Sequence, residues 1–167
     1  GDIHPHGTAY ELAAAVLYSN YSVYGMSALD PEFYAAQVAA SDVNADGIPL
    51  SVADLVYLIR VVVGDAQPYP KTVLPAEASL VNSQGTLSVG GDVAMGAAYL
   101  TVTGNVTPTL LATQMELKYA YDATENLTRV LVYSMTAEQF TGEFLSVPGT
   151  LVSLELATAE GNPVVFK

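Results

Sequence analysis

DVNADGIPLSVADLVYLIRVVV, residues 42–63, is the stretch on which the fold turns. Asp42, Asn44 and Asp46 set three short oxygen-bearing side chains at alternate positions, and Gly47 follows where a calcium-binding loop must turn sharply. In such a loop the seventh residue offers a backbone carbonyl, the ninth often acts through water, and an acid at the twelfth closes the shell. Counted from Asp42, these roles fall to Ile48, Leu50 and, one residue late, Asp54. The expected calcium ligands are therefore Asp42, Asn44, Asp46, Ile48 and Asp54. The late acid has a second reading, because Ser51-x-x-Asp54 is also a capping box that starts a helix without any metal. Beyond it, Val52, Leu55, Val56, Ile59, Val62 and Val63 recur at helical spacing, which predicts a helix over 51–63.

A damaged copy of this stretch lies 40 residues upstream. GDIHPHGTAYELAAAVL from Gly1 aligns with SDVNADGIPLSVADLVY from Ser41, matching Asp2 to Asp42 and Gly7 to Gly47. His4 and His6 replace Asn44 and Asp46, and Ala14 stands where Asp54 stands, so most hard oxygen ligands are gone. Asp2, His4 and His6 form a poorer second candidate set, better suited to zinc, copper or nickel than to calcium. Leu12, Val16, Leu17 and Val23 make a loose apolar stripe after this loop, and the two helices are expected to pack together. Asp30-Pro31 starts a short linking helix that runs to Ala40.

The duplicated loop and helix, carried by DVNADG and DLVYLIRVVVGD, resembles the dockerin family over residues 1–66. That resemblance implies an EF-hand-like helical module holding Ca2+, an extracellular setting and a cohesin-type protein partner. Residues 67–72, QPYPKT, read as a short, stiff linker with two prolines. From residue 73 the texture changes to period two. Seven runs of Val, Leu, Thr and Tyr, from Ala78–Val81 to Leu151–Ala157, are separated by Gly, Asn, Pro and Asp, which predicts a β-sandwich over 73–167. In MELKYAY, Met115, Leu117, Tyr119 and Tyr121 should face a core while Glu116, Lys118 and Ala120 face water. GGDVAMGAAYLTVTG, ATQMELKYAYDA and GTLVSLELATAEG give this part a weaker resemblance to cohesin-like secreted sandwiches. The expected class is α+β multidomain: a small helical dockerin-like module, then an antiparallel Ig- or cohesin-like sandwich.

Composition limits the function. The chain has 167 residues, 51% of them apolar, enough for a core. Its 17 acidic and 5 basic side chains leave a charge of -12, which argues against nucleic acid and anionic membranes and for cations as partners. There is no cysteine, hence no disulfide, thiol nucleophile or cysteine-based zinc site. The chain starts at Gly1 without a leader-like segment or an apolar stretch of membrane-spanning length. It is expected to be a secreted protein with its signal peptide removed, or an excised fragment, and to lie outside the cell or at its surface.

No catalytic constellation stands out. Glu116 and Glu155 would have to flank a glycosidic bond at a defined separation to act as an acid pair, and a solvated outer face explains them more simply. No serine lies in an elbow motif. Asn20, Asn105 and Asn126 occupy N-x-S/T sequons. With no Trp and 4 Phe, stacking on sugars would fall to the 11 Tyr. The expectation is a non-catalytic structural or interaction protein that assembles head to tail, the helical module of one chain meeting the sandwich of the next. The short linker argues against self-docking within one chain. Val164–Phe166 is a further candidate, as a strand donated to a neighbour. Two alternatives are a dockerin-type adaptor segment of a larger, cellulosome-like secreted protein that binds a separate scaffold, and a carbohydrate-binding module with glycan partners.

Overall fold

Short segments rich in β-branched and aromatic residues, each closed by Gly, Asn or Pro, fix most of the molecule. The computed structural model describes residues 12–68 and 74–167. Within them are three α-helices, α1 (Leu12–Tyr24), α2 (Tyr34–Ala40) and α3 (Val52–Val62), followed by nine strands. These are β1 (Ala76–Ser83), β2 (Thr86–Gly90), β3 (Met95–Thr103), β4 (Thr109–Leu110), β5 (Glu116–Asp122), β6 (Leu127–Tyr133), β7 (Gly142–Ser146), β8 (Leu151–Thr158) and β9 (Val164–Phe166). The seven expected runs are all strands, as is the candidate donor segment Val164–Phe166 (β9); β4 is additional. Residues 136–139 form no helix.

The strands make two sheets, in the orders β4-β7-β2-β1-β9 and β5-β6-β3-β8. All pairings are antiparallel except β1 with β9, which runs parallel with Ala76 opposite Val164. The sheets face each other across Leu87, Met95, Leu100, Val102, Val130, Val132, Phe144, Leu145 and Leu156, all buried. Phe140 and Phe144 stack obliquely there, with centroids 5.0 Å apart. The chain is thus α+β, with two sheets packed as a sandwich is. No helix among the described residues is long and apolar enough to cross a membrane.

The expected wet face of β5-β6-β3-β8 is covered instead. α1 and α3 lie on it, and one apolar cluster joins Ala14, Tyr18, Leu55 and Leu58 of the helices to Ala97, Leu131, Tyr133 and Ala157 of the strands. Helices therefore dock on their own chain's sheet, against the expectation drawn from the short linker. Lys118 and Ala120 turn toward α1, not water. Small residues permit the approach. A Cβ on Gly96 would sit 2.8 Å from Val56 Cγ1 and 2.9 Å from Thr158 O, so any side chain there would push α3 off the sheet.

The two longer helices bury different kinds of face. In α3, Val52, Leu55, Val56 and Ile59 are buried as the stripe predicts, whereas Val62 is half-buried and Val63 exposed; Ala53, Tyr57 and Leu58 are buried too, because the helix is wedged between α1 and the sheet. In α1, Leu12 and Val16 are exposed, and the buried face is Ala14, Ala15, Tyr18, Ser19 and Val23. Close packing favoured the two alanines over the larger side chains. The C-terminal strand, expected as a donor to a neighbour, pairs with β1 of its own chain.

Candidate functional site

The loop before α3 is built by its own side chains. Asp42 accepts hydrogen bonds from the backbone N–H of Asp46 (3.0 Å) and Gly47 (3.1 Å), Asn44 Oδ1 from Asp46 N–H (3.1 Å), and Asp46 from Ile48 N–H (2.8 Å). Short Asx side chains fold back on their own backbone in this way, which is why the residue types matter. Gly47 has φ 84, and Ala45 and Leu50 hold left-handed angles of 59 and 61. A non-glycine residue there costs about 1 kcal/mol, so the loop carries strain.

Asp54 closes the loop from the helix side. Its Oδ1 accepts from Asn44 N–H (3.1 Å), and its Oδ2 accepts from Ser51 N–H (3.1 Å) and Ser51 Oγ (2.7 Å). Asp54 N–H in turn donates to Ser51 Oγ (3.1 Å), which completes the capping box. Tyr18 Oη donates to Ser51 O (2.8 Å), tying α1 to the same corner. Tyr18 Oη also lies 3.4 Å from Asp54 Oδ2, so four donors face a carboxylate that offers about four lone-pair directions.

One carboxylate oxygen each from Asp42, Asp46 and Asp54 lies within 4.8 Å of the others. That spacing suits a shared Ca2+, whose oxygens sit about 2.3–2.6 Å from the metal. Asp54 is fully buried, and burial pushes its carboxyl up from 3.8 to about 6 against the pull of its donors, with Asp46 adding to the rise. A divalent cation would supply the missing counter-charge. Ile48 keeps its side chain 58% exposed, as a residue used only for its backbone can. Asp2, His4 and His6 lie outside the described residues.

The loop is also fastened to the sheet. Asn44, wholly buried, donates from Nδ2 to Asp46 Oδ2 (3.1 Å) and to Gly161 O (3.3 Å) in the turn after β8. Gly161 has φ 82, and a Cβ on it would stand 2.9–3.1 Å from Tyr57. Glu155 of β8 accepts from Val52 N–H (2.7 Å), so a sheet carboxylate caps the free N-terminal donors of α3. Neither Asn44's distant partner nor Glu155's role has a local sequence signal, since each bond spans more than 100 positions.

The other acidic candidate is equally structural. Glu116 accepts from Met135 N–H (2.7 Å). Glu116 and Glu155 stand on the two outer strands of the four-stranded sheet, three strand spacings or roughly 14 Å apart, beyond the separations used by glycosidase pairs. Lys118 reaches Ser19 Oγ (2.8 Å) and Asn20 Oδ1 (2.7 Å) on α1 and lies over the Tyr133 ring. Of the sequon asparagines, Asn20 is thus engaged by Lys118, whereas Asn105 and Asn126 are exposed. No family of known proteins and no curated protein matches the chain.

Proposed function

We propose that this chain is a non-catalytic, calcium-stabilised structural protein of the cell exterior that assembles with copies of itself. Its helical part is read as dockerin-like and its strands as a cohesin-like sandwich. The observation that carries the reading is the trio Asp42, Asp46 and Asp54, with oxygens within 4.8 Å, on a loop that Asn44 bonds to the sheet. A cation held there would fix the start of α3 and its seat on the sandwich together. Such an ion stabilises rather than signals, because the part of α3 it positions, Val52 to Ile59, is buried.

Head-to-tail assembly draws on the same seat. The surface that α1 and α3 cover on one sheet can be covered by the helices of a second copy, and such exchange of an identical element is a low-cost route to oligomers. Exchange that does not close produces filaments. Charge makes the assembly cation-dependent. Lys118, Arg129 and Lys167 bond to side chains of their own chain, and Arg60 to backbone oxygens of Glu160 and Asp65, so the described cations are committed within the chain while the net charge stays at -12. Divalent cations would screen the resulting repulsion between copies. Light scattering and sedimentation over a concentration series, in calcium and in EDTA, test the proposal. Large species in calcium that fall to monomers in EDTA are expected. A strict monomer at high concentration in calcium overturns assembly and favours the adaptor reading.

A further inference from the structure

A cavity of about 420 Å³ lies between α1, the start of α3 and the four-stranded sheet. Its size falls in the range of small-molecule sites, roughly 300–1,000 Å³. The register of the sheet builds one wall, because Glu155 pairs opposite Tyr99, and Arg129 stands on β6 two residues from Tyr99's other partner, Leu131, and so on the same face. Tyr21 closes the cavity from α1, and Met26 and Leu50 supply apolar rim. Tyr21, Tyr99, Arg129 and Glu155 come from four separate elements, so the cavity exists only where helices and sheet are docked.

We propose that this cleft binds a neutral saccharide ring, using Tyr21, Tyr99, Arg129 and Glu155. The wall carries one cation and one anion, and Arg129 is already paired with Asp122 at 2.8 Å. An anionic ligand would therefore find no free cation in it, while Glu155, bonded only to a backbone N–H, stands as an acceptor. A sugar hydroxyl both donates and accepts, which suits a lining of mixed sign. Glu155 spends one oxygen on Val52 N–H and has the second to offer a sugar O–H. Burial raises the Tyr21 and Tyr99 hydroxyls above their ordinary value, so both remain protonated donors near neutral pH. Tyrosine pairs such a hydroxyl with a broad apolar ring, matching the C–H face of a pyranose. No residue of the acidic trio Asp42, Asp46 and Asp54 lines the cavity.

The test is titration of the intact chain with glucose, galactose, mannose, N-acetylglucosamine and their disaccharides, read by calorimetry and by NMR. Tyr99→Phe removes one hydroxyl and Tyr21→Ala one ring, and circular dichroism melts report whether each variant is folded. Saturable binding of at least one neutral sugar is expected, weakened about tenfold by Tyr21→Ala and several-fold by Tyr99→Phe, as loss of a ring contact and a hydrogen bond imply. No saturable response to any of these sugars overturns the proposal. So does binding that is unchanged in both folded variants, or a site that takes free lysine or glutamate and no sugar.

Discussion

On one side of the four-stranded sheet, Leu100, Val102, Val130 and Val132 meet Phe144 and Leu145 across a continuous apolar layer. On the other, Ala97, Leu131 and Tyr133 share the surface with Lys118, Arg129 and Glu155, and each of these last three is bonded to a specific partner. The first side is held by burial, which is non-directional and proportional to area. The second is held by smaller apolar contacts together with polar bonds, of which those of Lys118 and Glu155 must meet a helix at the right atom. That difference makes the sandwich the stable unit and the helix seat the conditional one, sensitive to pH and to single atoms.

The largest effect should come from the apolar side. Leu100→Ala removes a side chain with no exposure and is expected to cost about 3–4 kcal/mol and lower the melting of the whole chain. On the helix side, Gly161→Ala places a Cβ against Tyr57 at a left-handed backbone position. It should cost more than about 2 kcal/mol. Hydrogen exchange in α3 should rise while exchange in β3 and β6 stays slow; equal acceleration of both would erase the distinction between the two sides.

The buried acid gives the next effect. The folded value of Asp54 is raised to about 6 from 3.8, chiefly by burial. Its contribution is complete below the unfolded value and is lost as pH rises through about 6, a change on the order of 2–3 kcal/mol. In EDTA the melting midpoint should therefore fall from pH 4 to 7. Calcium or Asp54→Asn should flatten that decline, and identical profiles with and without calcium would leave Asp54 a cap alone. Asp122 works in the opposite direction: its bond to Arg129 holds its carboxyl below the usual range, so that small gain disappears in acid.

Lys118→Ala deletes the bonds to Ser19 and Asn20 and should cost about 1 kcal/mol, read as faster exchange in α1. The smallest effect belongs to Lys167→Ala. Its pair with Glu77 is mostly exposed, and surface pairs contribute under about 0.5 kcal/mol, so the melt should hardly move.

Much of the fold is legible locally. Alternation located β2, β3, β6 and β8 because a strand's side-chain period reports its own two faces. Ser51 and Asp54 announced the start of α3, and the Asx spacing announced the loop, because both patterns bond to backbone a few residues away. The buried face of α1 was hidden, since Leu12 and Val16 are more apolar than Ala14 and Ala15 but less able to sit close to a neighbour. β9 was visible as an apolar run and unreadable as to its partner.

The amino-acid sequence by itself determined the elements, the acidic loop and the apolar side of the sandwich, each from residues close together along the chain. Only the tertiary structure decided that the second side of the sheet is covered and that Glu155 caps α3. It also decided that Asn44 reaches Gly161 and that four distant side chains enclose a cavity. The physical reason is that hydropathy records which surfaces avoid water, whereas the choice of what covers them depends on shape and on single hydrogen-bond partners brought together from more than 100 residues apart.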